Sequence, residues 1–264
     1  MFFGFEHISV SYGKKQVLRD LTLEVPRGEF VVLIGPNGCG KSSLLKTVSG
    51  AVIPQTGRIL LEGRELASYK PRLRARRIAY LPQECPPLCD LDVETLVSYG
   101  RYPHMVPGRG LTAADRAVID RVISRTGLED LRFHSVTSLS GGEVQRARIA
   151  MNLAQEPTVL ILDEPTTHLD IGYQLEILEL LRRLNRTMGL TVLTVLHDIN
   201  LAARYADRIY AIQNGTIGAA GSPEEVITAQ NMRKLFGIRA EILRDEQHHC
   251  PYLRPLSRVH KEEV

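Results

Sequence analysis

Hydrophobic positions along this chain fall into short unbroken runs and into longer stretches with a three-to-four-residue rhythm. The runs "EFVVLIG" (29–35), "RIAYLPQ" (77–83), "TVLILDEP" (158–165), "TVLTVLHD" (191–198) and "RIYAIQNG" (208–215) are strand-sized. "GKSSLLKTVSG" (40–50) follows the first of them with a helical pattern. "GYQLEILELLRRLNRTMG" (172–189) places Leu175, Ile177, Leu178, Leu181 and Leu184 at helical spacing. Strand followed by helix, repeated, predicts an α/β fold, a mostly parallel sheet with helices on both faces. The N-terminal "FEHISVSYGKKQVLRDLTLEV" alternates as antiparallel strands do, and "TGRILLEGREL" (56–66) carries a hairpin-like glycine.

The block from about 88 to 155 differs. "LTAADRAVIDRVISRTGLEDL" and "GGEVQRARIAMNLAQEP" are helical with no strand candidate between them. The expected organisation is therefore one domain: an α/β core over 1–87 and 156–225, an all-helical subdomain inserted at 88–155, and a C-terminal extension over 226–264. Around the start of that extension, "SPEEVITAQNMRKLFG" reads as one capped helix, with Ser222 as N-cap, Pro223 at its first position and Glu225 three residues after the cap. "RAEILRDEQHHCPYLRPL" predicts a short hairpin. No heptads and no internal repeat are present.

Composition narrows the class. A chain of 264 residues with 44% hydrophobic and 24% charged residues has the profile of a soluble globular protein with a sizeable core. A net charge of +3 and a C-terminal stretch of mixed sign leave no electrostatic footprint for nucleic acid. No apolar run approaches the roughly 20 residues of a membrane span. "MFFGFEHISV" lacks a basic region and a cleavage site, which predicts no signal peptide and a cytosolic protein. Cys39, Cys85, Cys89 and Cys250 fit a reducing compartment. Neither the Cys85/Cys89 pair nor "HHC" (248–250) has the second ligand pair of a zinc site, so surface cysteines are expected there.

The chemistry begins at "GPNGCGKSS" (35–43), which fits G-x-x-x-x-G-K-[ST] and sits after a strand and before a helix, as the mechanism requires. Gly35, Gly38 and Gly40 let backbone N–H groups close on phosphates, with Pro36, Asn37, Cys39 and Ser43 completing the loop and the helix start favouring negative charge. Lys41 would reach the outer phosphates and Ser42 would hold Mg²⁺. Asp163, ending the strand "VLILDEP", is a candidate for the same Mg²⁺, and Glu164 for the attacking water. His197 closes another strand, where it could meet the γ-phosphate, because strand C-termini converge on the ligand crevice of a parallel sheet. Gln83 in "YLPQ" could touch both Mg²⁺ and water. Tyr12 could stack on adenine.

Together, "GPNGCGKS", "YLPQ", "LSGGE", "LILDEP", "THLD" and "VLHD" resemble, in order and kind, the ATP-binding subunits of ABC transporters over roughly residues 5 to 230. The resemblance implies a phosphate-loop ATPase that uses ATP and Mg²⁺, with Glu164, His197, Lys41 and Gln83 serving hydrolysis. It also explains a second glycine loop. In that family two ATPase subunits pair head to tail. Ser140, Gly141 and Gly142 would then cover the γ-phosphate bound by the other copy, and Asp170 would lie at the boundary between copies. Cys39 would contribute through its backbone.

"ETLVSYGRYPH" (94–104) and "LTAADRAVIDRVISRTGLEDL" are similar to the iron-chelate, haem and vitamin B12 importers of bacteria. That likeness implies a homodimer on two membrane-spanning permease subunits, fed by an external substrate-binding protein. The chain would be peripheral, on the cytoplasmic face of the inner membrane, with a permease helix near Gln83 and residues 88–104. The alternative is that Tyr99, Arg101, Tyr102 and His104 simply pack within the helical block. A haem or cobalamin importer, another ABC transporter and a non-transport ABC protein are the rival readings. A phosphate-loop kinase would leave "LSGGE" and His197 without a purpose.

Overall fold

The computed structural model describes residues 1–85 and 89–259; the expected core–subdomain boundary at 87/88 and the last residues of the tail lie outside them. Along the chain run β1 (Phe3–Tyr12), β2 (Lys15–Val25), β3 (Phe30–Ile34), α1 (Lys41–Ser49), β4 (Thr56–Leu61), β5 (Arg64–Glu65), α2 (Pro71–Arg77) and β6 (Ile78–Leu81). Next come α3 (Val93–Ser98), α4 (Ala113–Arg125), α5 (Gly141–Leu153), β7 (Val159–Leu162), α6 (Ile171–Met188) and β8 (Thr191–Val195). The chain closes with α7 (Ile199–Tyr205), β9 (Arg208–Gln213), β10 (Thr216–Gly221), α8 (Pro223–Val226), α9 (Ala229–Phe236), β11 (Ile238–Asp245) and β12 (Cys250–Arg258). Two units divide these elements, one of residues 1–66 and 193–264, the other of residues 67–192.

In the first unit, all five residues of β3 are buried, which is why its sequence is an unbroken apolar run. β3 lies parallel to β9, and the order in this part of the sheet is β10-β9-β3-β8. A separate antiparallel sheet has the order β2-β1-β4-β5, with Phe3, Phe5 and Ile8 of β1 fully buried. Its β4–β5 turn is Glu62-Gly63, both at positive φ (52° and 74°), as two-residue hairpin turns require. The β11–β12 hairpin packs on α9 and α7, and Asn200 stitches α7 to the Leu253 backbone in both directions.

In the second unit, β6 and β7 pair in parallel, Ile78 opposite Val159 through Leu81 opposite Leu162. All four residues of β7 are buried. α5 is the centre of the helical part and packs on α3, α4 and α6. Between α3 and α5 the described residues contain no strand, only an isolated bridge between Asp92 and Ser135. Helix α6 buries Ile177, Leu178, Leu180, Leu181 and Leu184; Leu175 is half-buried at the margin of that face.

Two expectations need correction, for the tail helix and for Cys250, and two elements, β10 and α2, were not expected. The predicted single tail helix is two: α8 stops after one turn, the backbone leaves helical geometry at Ile227, and Thr228 starts α9 by accepting from Asn231 N–H. Strand β10 pairs with β9 through the positive-φ turn Asn214-Gly215. Helix α2 buries no residue, so it carried no apolar rhythm to read. Cys250 is buried, not a surface residue, and burial pushes its thiol pKa up. Among the described residues, no helix is long and apolar enough to cross a membrane.

The core dominates stability. Phe30→Ala deletes a fully buried ring from the start of β3. The expected cost is about 3–5 kcal/mol, visible in far-ultraviolet circular dichroism as a lower urea midpoint; an unchanged midpoint would contradict this account of the core.

Candidate functional site

In the first unit, β3 delivers the chain into a loop that only glycines can follow. Gly35, Gly38 and Gly40 stand at φ 149°, 75° and 111°. A Cβ on Gly35 would lie 2.2 Å from the Ile212 carbonyl oxygen, and one on Gly40 would lie 2.5 Å from Leu18. A Cβ on Gly38 would meet no protein atom within 4 Å, so that space is an open cradle. Lys41 is buried and folded over the loop, where its Nζ donates to the carbonyls of Gly35 (2.8 Å) and Pro36 (3.1 Å). Cys39 Sγ lies 3.8 Å from the same ammonium.

The start of α1 is distinctive among the described helices. A helix begins with N–H groups that lack intrahelical partners. Helices α3 to α9 each cap theirs with a side chain: Asp92, Thr112, Ser140, Asp170, Asp198, Ser222 and Thr228. Helix α2 begins at Pro71, which has no N–H. Helix α1 has a glycine N-cap, no side-chain cap and no acid in its first turn. The residues present therefore fit a phosphate chain, which would supply the missing negative oxygens.

Three more features of this unit belong with the loop. Tyr12, 51% exposed at the end of β1, donates its hydroxyl to Ser43 Oγ (3.3 Å), which sets the ring beside α1. A cavity of about 410 Å³ opens among Lys15, Arg19, Asn37, Gly38 and Asn214 and so carries two cations. The Leu196 N–H donates to the Leu33 carbonyl (3.2 Å), which puts the end of β8 next to β3, and His197 follows it at the surface.

In the second unit, Asp163 and Glu164 end β7. Asp163 is 1% exposed, and its N–H donates to the Leu81 carbonyl at 2.9 Å. Glu164 has positive φ (53°), a conformation that costs a non-glycine residue about 1–3 kcal/mol. Its Oε2 accepts from Gln83 Nε2 (2.7 Å) and from Thr167 Oγ1 (3.0 Å). The structure thus joins Gln83 directly to the acid expected to face water. Tyr80, one strand over, has a buried hydroxyl whose pKa is pushed up by burial and then by the charge of Asp163.

The "LSGGE" loop starts α5 with a capping box. Ser140 Oγ accepts from Glu143 N–H (3.3 Å), and Glu143 Oε2 accepts from Ser140 N–H (2.8 Å). Donation to the Glu143 carboxyl, first from the Ser140 N–H and then from the Ser140 hydroxyl, holds it below its ordinary pKa. The Ser140 hydroxyl therefore works both ways within the box, accepting from the Glu143 N–H and donating to the Glu143 carboxyl. Gly142 has no room for a side chain, because a Cβ there would fall 2.2 Å from the Tyr173 ring. Asp170 caps α6 by accepting from Tyr173 N–H (3.0 Å), so the signature loop and Asp170 share Tyr173 as a neighbour. Gln145 of α5 donates to the Pro165 carbonyl (2.9 Å), one residue past Glu164.

Sequence reasoning did not single out Glu143, Thr167, Gln145 or Tyr173. The Ser140–Glu143 spacing is a capping-box signal that could have revealed the first. The other three act through contacts with no local signature. Among the described residues, no group of three or more His, Cys, Asp or Glu is placed to hold a metal ion.

Comparison with known proteins gives a consistent picture. Residues 18–167 match the family described as ABC transporter. The chain is 43% identical over 254 residues to the ferric enterobactin transport ATP-binding protein FepC of Escherichia coli (strain K12), covering 96% of this chain and 94% of FepC. It is 41% identical over 246 residues to the iron(3+)-hydroxamate import ATP-binding protein FhuC of Bacillus subtilis (strain 168), covering 93% and 91%. Among solved structures, the dimeric post-hydrolysis state of the ATP-binding cassette MJ0796 bound to ADP and Pi superposes with a TM-score of 0.71 at 27% identity, covering 84% of this chain and 98% of that one.

Gly38→Ala tests the cradle: its Cβ meets no protein atom within 4 Å, so the cost within the protein is the backbone strain of an alanine at φ 75°, and wild-type circular dichroism checks that the variant is folded. The methyl should occupy the anion's space and weaken binding of a fluorescent ATP analogue by about tenfold, or about 1.4 kcal/mol. Wild-type affinity in this variant would show that the loop is not the phosphate site.

Proposed function

The chain belongs to the ABC transporter family, and from that premise we propose that it is the ATP-hydrolysing subunit of a bacterial importer for ferric siderophores or related iron chelates. The observation that carries the cargo class is the end-to-end similarity to FepC, at 43% identity. A likeness confined to the ATPase motifs would leave the cargo open.

In this reading Tyr12 stacks on the adenine, and the loop from Gly35 to Ser43 wraps the phosphates. Lys41 turns its ammonium from the loop carbonyls, which it now contacts, to the outer phosphate oxygens. Ser42, Asp163 and Gln83 offer hydroxyl, carboxylate and amide oxygens, the hard ligands that suit Mg²⁺. When bound, Mg²⁺ neutralises charge on the phosphate oxygens. Glu164 orients the attacking water and takes up its proton, which requires its present bond from Gln83 to give way. Gln83 therefore senses whether water and ion are in place. His197 donates to the γ-phosphate.

The partner arrangement follows the same reading. Two copies face each other, and the Ser140 hydroxyl with the N–H groups of Gly141 and Gly142 closes on the γ-phosphate held by the other copy. Asp170 lies at that boundary. The homodimer sits on two membrane-spanning permease subunits served by an external substrate-binding protein, and it is peripheral on the cytoplasmic face of the inner membrane. In this reading a permease helix docks at the exposed tyrosines of the "GRYPH" stretch, Tyr99 and Tyr102 (56% and 69% exposed). The iron complex itself never touches this chain.

Uptake of labelled ferric siderophore, haem and cobalamin in cells lacking the gene tests this directly. Loss of iron-chelate uptake alone, restored by the wild type and not by Glu164→Gln, is the expected result. Loss of haem or cobalamin uptake instead would keep the ATPase and overturn the cargo. Normal entry of all three would overturn the importer assignment.

A further inference from the structure

The "GRYPH" stretch splits by burial. Tyr99 and Tyr102 face out, whereas Arg101, in a one-turn 3₁₀ helix (Tyr99–Arg101), is 5% exposed. Its guanidinium makes three bonds: Nε donates to Asp115 Oδ1 (2.9 Å), and Nη1 donates to the Ala154 carbonyl (2.7 Å) and to Glu156 Oε2 (2.9 Å). Ala154 is the C-cap of α5, the helix whose other end is the Ser140–Gly142 loop. His104 Nε2 donates to the next carbonyl, that of Gln155, at 2.9 Å. Gly100 fits against the same turn so closely that a Cβ would lie 2.0 Å from the Met151 carbonyl.

We propose that Arg101 is a positioning residue for the signature helix, fixing the C-terminal end of α5 so that its Ser140–Gly142 end meets phosphate in register. The inference rests on the trans-phosphate role of that loop given above. Its physical basis is the mirror image of the N-terminal problem. The last carbonyls of a helix lack partners, and a cation there complements the dipole. Arg101 meets both needs at once, and His104 adds a further N–H donor. Arg101 also ties this end to the first turn of α4, where Asp115 is held ionised, down to a pKa of about 2, by its bonds from Thr112 and then from Arg101. Burying a guanidinium is costly unless every donor direction is used, so the site is unforgiving of substitution. Helix α5 has 13 residues and a length of about 20 Å. Gln145 and Arg146 hold it near its start, through Pro165 and Glu176. Release of the far end lets the helix pivot on those contacts and misaims the N–H groups of Gly141 and Gly142.

The test is a split between binding and turnover in the purified full chain. Arg101→Met should keep the affinity for a fluorescent ATP analogue, measured without Mg²⁺, within about twofold, while kcat falls about tenfold or more. Arg101→Lys, which returns a cation on the same stem, should regain part of kcat. His104→Ala should show a smaller loss of the same kind. Wild-type kcat in Arg101→Met would overturn the proposal, as would parallel loss of nucleotide affinity and kcat in a variant with wild-type circular dichroism. Should Arg101→Met fail to fold, His104→Ala decides, and wild-type kcat there counts against the proposal. Failure of the parent reading is distinguishable, because the wild-type chain itself would then show no hydrolysis and no ATP-dependent assembly.

Discussion

An α-helix cannot satisfy its own first N–H groups, and the way each helix of this chain meets that shortage organises its chemistry. Seven described helices close their N-termini with a Ser, Thr or Asp side chain. α1 does not; it opens from Gly40 with no side chain over it. Evolution could have placed a serine there for about 1 kcal/mol of stability. A glycine leaves that position for an anion and gives the backbone the positive φ the loop needs. α5 takes a middle course. Its capping box secures Ser140 and Glu143, while the adjacent Gly141 is exposed. In the proposed reading, the first N-terminus takes this chain's nucleotide and the second completes the site of another copy.

Strain and polarity collect at the residues proposed for catalysis. Glu164 is held at φ 53° at the end of a strand buried on both faces, a geometry the fully packed β7 can impose. Its carboxylate is occupied by Gln83 and Thr167, so the acid rests in a satisfied state, and the proposed role in activating water requires it to exchange a partner. Lys41 likewise spends its ammonium on loop carbonyls. Both groups have replaceable partners that keep a buried or half-buried charge from going unpaired.

Much of this was legible in the residues. β3, β7 and β8 are buried throughout, so burial on both faces wrote each as a plain apolar run. The phosphate loop was legible because only glycine tolerates its dihedrals. β10 was missed although Asn214-Gly215 is a strong hairpin signal; its strand, "TIGAAG", is too poor in large apolar residues to announce itself. α8 and α9 were fused because the cap at Thr228 lies inside a continuous polar–apolar rhythm. Arg101 illustrates the deeper limit. Nothing local distinguishes a buried arginine from a surface one; its partners Asp115, Ala154 and Glu156 come from other parts of the chain, and only folding brings them together. The bond between Gln83 and Glu164, across 81 positions, is invisible for the same reason.

The central claim is that the Ser140–Gly142 end of α5 serves a nucleotide bound by another copy. Light scattering of Glu164→Gln, with and without ATP and Mg²⁺, tests it most directly when paired with the same chain carrying Ser140→Arg. The account predicts a dimer only with nucleotide in the first, and a monomer that still binds the nucleotide in the second. A Glu164→Gln chain that stays monomeric with ATP and Mg²⁺, or a Ser140→Arg chain that dimerises as readily, would contradict it.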